Sequence, residues 1–160
     1  MTSANQPSMI ELLTFKLAEE HYGIDIMKVK EIRGYEAVTK IANAPDFIKG
    51  VINLRGDIVP ILDLRLKFSV GEATYNEFTI VIMVVVAGKI IGIVVDAVSD
   101  VIKLTDADIK PAPEFGVAFD SRYLSGLVTQ TDHMVILLNI DALITSEEIG
   151  ILFKQSQKND

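Results

Sequence analysis

The chain has 160 residues, 49% of them apolar, a formal net charge of −7 and no cysteine. That length suffices for one ordinary domain or two small ones with a real core, and that apolar content excludes a disordered chain. An acidic chain without clustered Lys and Arg lacks the footprint that binds nucleic-acid phosphates; without thiols there is no disulfide framework and no thiolate metal site, which permits the cytoplasm.

Met1 to Ser8 is a short polar lead-in, not a charged and then apolar leader, so no secretory signal is expected. Leu12 to Leu17 alternates apolar and polar and is predicted as a strand, turning at Glu19-Glu20 into a second, Tyr22 to Ile26. Ile26 to Ile32 reads as a single helical turn. Gly50 to Leu54 and Ile58 to Leu64 form a hairpin about Arg55-Gly56-Asp57, where glycine supplies a positive φ. Pro60 within it predicts an edge or a bulge beside an open surface. Phe78 to Val86 and Lys89 to Val95 pair about Ala87-Gly88, and Ala97 to Val101 reads as another helical turn. The longest apolar run, Ile80 to Ala87, falls far short of the ~20 residues of a membrane-spanning helix. Leu124 to Val128 pairs with Met134 to Ile140 about Gln130 to His133. Ala142 to Leu152 reads as a capping helix with Leu143, Ile144, Ile149 and Leu152 apolar.

These elements repeat. Tyr22 to Ile32 lies over Ile91 to Val101, 69 positions on (Gly23 and Gly92). Phe47 to Ile52 lies over Tyr123 to Val128, and Ile58 to Leu64 over Met134 to Ile140, both 76 positions on (Gly50 and Gly126). Glycine, aromatic and acid or amide positions stay in register over ungapped blocks, which marks a duplication. Short strands, tight turns and two copies predict an all-β chain of two small barrels rather than one sandwich; a parallel α/β sheet would need long intervening helices. The provisional halves are 1–75 and 76–160, with exchange of strands between them left open because the pattern fixes only the register.

A search for chemistry finds little. His21 and His133 lie about 110 residues apart without a second ligand at metal spacing, and read as surface or turn residues. Asp96, Asp100, Asp106 and Asp108 could be gathered into a carboxylate metal site. However, Asp100 matches Glu31 in the other copy, and Asp106 sits where a cap or turn acid belongs. No phosphate loop, serine elbow or nucleophile–base spacing is present. The copies do differ at Asn53-Leu54-Arg55-Gly56, whose counterpart is Thr129-Gln130-Thr131-Asp132. The hairpin therefore needs no arginine, and Arg55, a rigid fork suited to a carboxylate, is assigned Glu31 as its partner.

Tyr22 to Gly34, Phe47 to Arg65, Gly92 to Val101 and Pro111 to Phe115 together resemble the CheW family of chemotaxis coupling proteins, over residues 9–149. The resemblance implies a fold of two five-stranded SH3-like barrels. It also implies a non-catalytic adaptor without cofactors or metal, joining chemoreceptors to the histidine kinase CheA in the cytoplasm, with membrane contact only through the receptors. Carried over, the receptor-binding residues are Val29, Glu31, Ile32, Gly50, Arg55 and Val101, and the kinase-binding residues Lys110 and Phe115. Val29 and Ile32 are expected on one helical face, where an apolar groove receives a partner helix. The stiff segment 103–122 is expected to hold Phe115 out as an anchor for the CheA regulatory domain. Other readings are a CheW-like regulatory piece of a larger protein, the carboxylate metal enzyme, and an oligonucleotide-binding barrel, for which a basic groove is missing.

Overall fold

A computed structural model describes residues 9–111 and 123–144. Its strands are β1 (Met9–Leu17), β2 (Glu20–Asp25), β3 (Val29–Gly34), β4 (Ile48–Leu54), β5 (Asp57–Asp63), β6 (Ile80–Val86), β7 (Lys89–Val95), β8 (Ala97–Thr105), β9 (Ile109–Lys110), β10 (Leu124–Thr129) and β11 (Met134–Leu138). Short helices α1 (Leu64–Phe68) and α2 (Asp141–Ile144) follow β5 and β11, and 3-10 turns at Ile26–Lys28 and Asp106–Asp108 precede β3 and β9.

Two barrel-like sheets result. Sheet A runs β8-β1-β2-β11-β10-β9 and sheet B runs β3-β6-β7-β5-β4. The all-β, two-barrel architecture is as expected, and the duplication is legible in the pairing. Thr14 opposes Gly23 in sheet A as Met83 opposes Gly92 in sheet B, and the parallel seams match too, Leu137 with Gly23 and Ile61 with Gly92. Both hairpins carry the same bulge, between Ile48 and Gly50, where Gly50 opposes Ile61, and between Leu124 and Gly126, where Gly126 opposes Leu137. Even β9, against Leu127 and Val128, has a counterpart in the isolated bridge of Thr39 to Val51.

The copies are nevertheless exchanged. Among the described residues sheet B is built from 29–95, while sheet A joins 9–25 to 97–138, so a cut at 75/76 separates neither. The first block of copy one (β2) pairs with the second block of copy two (β11), and β7 of copy two pairs with β5 of copy one.

Three apolar clusters explain the patterning. Leu54, Val59, Ile61, Val81, Met83 and Val94 fill barrel B, and Leu12, Leu104, Val128, Val135 and Leu137 fill barrel A. A larger cluster between them takes Leu13, Phe15, Tyr22 and Ile24 from sheet A and Leu62, Ile82, Val84, Ile91 and Ile93 from sheet B. Strand β6 therefore sends Val81 and Met83 inward and Ile82 and Val84 to the shared core, which is why Ile80–Val86 is an unbroken apolar run rather than an alternating one. Gly92 has no room for a side chain: an added Cβ would lie 2.6 Å from Ile61 Cδ1 in the barrel interior.

Several local expectations differ. Only Ile26–Lys28 of the first predicted helical turn is helical, and Ala97 to Val101 lies in β8, held by a ladder to β1 that the local spacing of Val98 and Val101 cannot announce. Strand β5 is internal rather than an edge. Pro60 is buried opposite Val51 and is tolerated because pairing with β7 begins only at Ile61. Of the expected C-terminal helix, Asp141–Ile144 is seen, and the remainder lies outside the described residues. Among the described residues no helix is long and apolar enough to cross a membrane.

Candidate functional site

Val29, Glu31 and Ile32 lie on β3, Gly50 on β4, and Arg55 in the β4–β5 turn. With only two residues joining these strands, both take left-handed backbone, Arg55 at φ 53° and Gly56 at φ 94°. Asn53 Oδ1 accepts the Gly56 N–H at 2.8 Å and closes the turn. A residue other than glycine there costs on the order of 1–2 kcal/mol, so arginine occupies the position against the backbone's own preference. Its Nη2 donates to Glu31 Oε1 at 2.6 Å. Since β3 and β4 are the two ends of sheet B, this ion pair spans the gap that closes the barrel.

The hydrogen bond from Arg55 holds the Glu31 carboxyl below its ordinary value, so it is ionised at neutral pH. Arg33 Nη1 approaches Glu31 Oε2 at 4.0 Å, and Arg33 Nη2 pairs with Glu36 Oε1 at 2.7 Å, giving a line of alternating charges beside the turn. Arg55 keeps 67% of its side-chain surface open, so the face can offer further donors to a carboxylate or carbonyl partner.

Ile32 and Val101 occupy equivalent places on β3 and β8, opposite Ile82 and Leu13, and are 43% and 42% exposed. Val29 does not share a helical face with Ile32. Both are on a strand with a bulge between Val29 and Glu31, and Val29 is half-buried against the shared core while Ile32 faces out. Gly50 is buried. An added Cβ would stand 2.2 Å from the Thr39 carbonyl oxygen, so glycine is what lets β4 approach that backbone. Two exposed residues were missed. Met27, 85% exposed, stands on the 3-10 turn before β3, and Phe78, 73% exposed, precedes β6. Phe78 donates its N–H to Asn76 Oδ1 at 2.7 Å, an Asx turn that Asn76 could have signalled.

On the other barrel, Lys110 is exposed on β9 opposite Leu127. Phe115 lies outside the described residues. The histidines are not isolated: pairing of β2 with β11 stacks the His21 and His133 rings with centroids 3.9 Å apart, and His133 Nδ1 lies 2.6 Å from Asp132 Oδ1. The four aspartates are not gathered. Asp96 binds Arg65 and the Ala18 N–H, Asp100 accepts the Val101 N–H, and Asp108 accepts the Thr105 N–H. Among the described residues no three His, Cys, Asp or Glu side chains stand close enough to hold a metal ion.

The chain as a whole is similar to known proteins. The family model of the CheW-like domain matches residues 11–148. The chain is 54% identical over 142 residues to the chemotaxis protein CheW of Klebsiella aerogenes, covering 89% of this chain and 86% of that one. It is 33% identical over 138 residues to CheW of Rhizobium meliloti, covering 86% and 89%. The crystal structure of the scaffolding protein TtCheW from Thermoanaerobacter tengcongensis superposes with a TM-score of 0.80 at 34% identity, covering 88% of this chain and 96% of that one.

Proposed function

We propose, because the chain belongs to the CheW-like domain family and is a chemotaxis adaptor of that family, that it joins the cytoplasmic signalling tip of a chemoreceptor to the regulatory domain of the histidine kinase CheA. The observation that carries the receptor half is the exposed Glu31–Arg55 pair, an arginine kept in left-handed backbone and aimed across the closure of barrel B. Apolar Ile32 and Val101 give a partner helix something to bury, Glu31 and Arg55 set its register, and Val29 and Gly50 hold the backbone beneath them. The kinase half is assigned to Lys110 and Phe115. The chain binds rather than catalyses, works in the cytoplasm, and reaches the membrane only through receptors. With the receptor seated between the barrels on β3 and β8 and the kinase on the β9 side of barrel A, it holds the kinase in a set geometry relative to the receptor, and several such contacts in an array add avidity.

Titration calorimetry tests this directly. The chain is expected to bind a receptor-tip fragment and the isolated kinase regulatory domain, and to hold both at once in a ternary complex by size-exclusion chromatography. Failure to bind either fragment would remove the adaptor reading.

A further inference from the structure

Arg65, at the start of α1, is a buried cation that the candidate site does not use. It is held through three nitrogens by two carboxylates. Its Nε and Nη2 donate to Asp63 at 3.0 and 2.9 Å, and its Nη1 donates to Asp96 Oδ1 at 2.7 Å. The other carboxylate oxygen of Asp96 accepts the Ala18 N–H at 2.6 Å, and the Asp96 N–H donates to the Lys16 carbonyl at 3.0 Å. On the opposite side, the Tyr75 hydroxyl donates to Asp63 Oδ2, and its ring packs on Tyr35 with centroids 4.8 Å apart.

The path is continuous and runs between the sheets. Tyr35 follows β3, two residues beyond Arg33 of the charged face; Asp63 ends β5 in sheet B; Ala18 and Lys16 belong to the β1–β2 hairpin of sheet A. The loop that carries Tyr75 also rests on that hairpin, since a Cβ on Gly71 would lie 2.8 Å from the Ala18 Cβ. Burial draws the Arg65 pKa down, but the bonds from Asp63 and Asp96 outweigh it and hold it above its ordinary value, so the cation stays charged.

Apolar contacts are non-directional, so an apolar interface by itself tolerates a small relative shift more readily than directional bonds do. A buried guanidinium shared between two carboxylates resists it, because any displacement leaves a charge unpaired away from water. Apolar residues of equal volume would serve stability as well, so a network of this kind is best accounted for by the single arrangement that it imposes. We propose that the Tyr75–Asp63–Arg65–Asp96 network positions sheet B against sheet A and thereby couples the receptor-facing strand β3 to the kinase-facing barrel. The coupling half rests on the adaptor reading above; the positioning half does not.

Two near-isosteric variants disturb the network: Asp96→Asn takes away the charge and one of the two acceptor oxygens shared by Arg65 and the Ala18 N–H, and Tyr75→Phe takes away the hydroxyl that donates to Asp63. Because the chain has no cysteine, a spin-label pair introduced as Asp57→Cys on β5 and Lys103→Cys on β8, both exposed, reports the distance between the sheets. Each variant is expected to broaden that distribution or split it. Each should bind the receptor-tip fragment and the kinase regulatory domain within about twofold of the parent. Receptor-dependent kinase activation in the reconstituted complex should fall by about fivefold or more. An unchanged distribution in both variants overturns the positioning role. Full activation despite a broadened distribution overturns the coupling. A parent chain that binds neither fragment sinks the adaptor reading instead, and the distance measurement still decides the network.

Discussion

Arg55 and His21 show how much one position can carry. Arg55 sits at φ 53°, a conformation that asparagine adopts more readily, so Arg55→Asn should leave the melting temperature unchanged or slightly raised. It should nonetheless weaken binding to a receptor-tip fragment by about tenfold or more, since it removes the charged fork. A matched fall in both would mean that the arginine serves the fold. His21 lies on β2, with burial, then His133 and Lys16, lowering its pKa, against weaker support from Asp132 and Glu20. Above the ordinary value of 6.5 both folded and unfolded chains carry a neutral ring, and nothing is lost. As pH falls below 6.5 the unfolded chain takes up the proton first, so stability drops across the window down to the lowered folded value. Glu31 and Asp132, whose pKa values are held below 4.5 and 3.8, act only at lower pH. Thermal melts at pH 7.5 and 5.5 should therefore show a decline in the parent that His21→Asn reduces; an identical decline in both would rule the histidine out.

Elements were legible where their partners are near in sequence. The β4–β5 and β6–β7 hairpins are closed by two-residue turns ending in Gly56 and Gly88, and that chemistry is local. Strand β8 was not legible, because its partner is β1, where Thr14 Oγ1 donates to the Asp100 carbonyl 86 residues away. The same distance hid the His21–His133 stack. The Glu31–Arg55 pair was found only because the second copy, which builds its hairpin without arginine, served as a comparison. The bulge glycines are the points at which an element depends on a single atom. Gly50→Ala would drive a Cβ into the Thr39 carbonyl and Gly126→Ala into the Lys110 carbonyl, at 2.2 and 2.7 Å. Each should cost about 3 kcal/mol, a fall of roughly 6–12 °C in melting temperature for a chain of this size. Gly34→Ala, where an added Cβ meets nothing within 4 Å, is the control that should melt normally.

At the scale of the molecule, the exchange of blocks makes the two halves interdependent. A fragment 1–75 holds β1 to β5 but not β6 and β7, which lie between β3 and β5 in sheet B, and 76–160 lacks β1 and β2, which separate β8 from β11 in sheet A. Neither should give a cooperative melt alone, and an equimolar mixture should recover near-ultraviolet dichroism and a single transition. Independent folding of either half would contradict the observed pairing. The all-β class, the duplication with its offsets, the tight hairpins and the resemblance to CheW-like proteins could all be read from the chain, because they rest on alternation, turn residues and repeated motifs that are local or self-similar. Which copy of a block pairs with which could not. Gly23 finds an equally apolar partner strand in β5 or β11, so the choice falls to the path of the chain and to the core shared between the barrels. Only the tertiary structure brought Asp63, Arg65 and Asp96 together, because a buried charge network is defined by approach in space and leaves no periodic trace along the sequence.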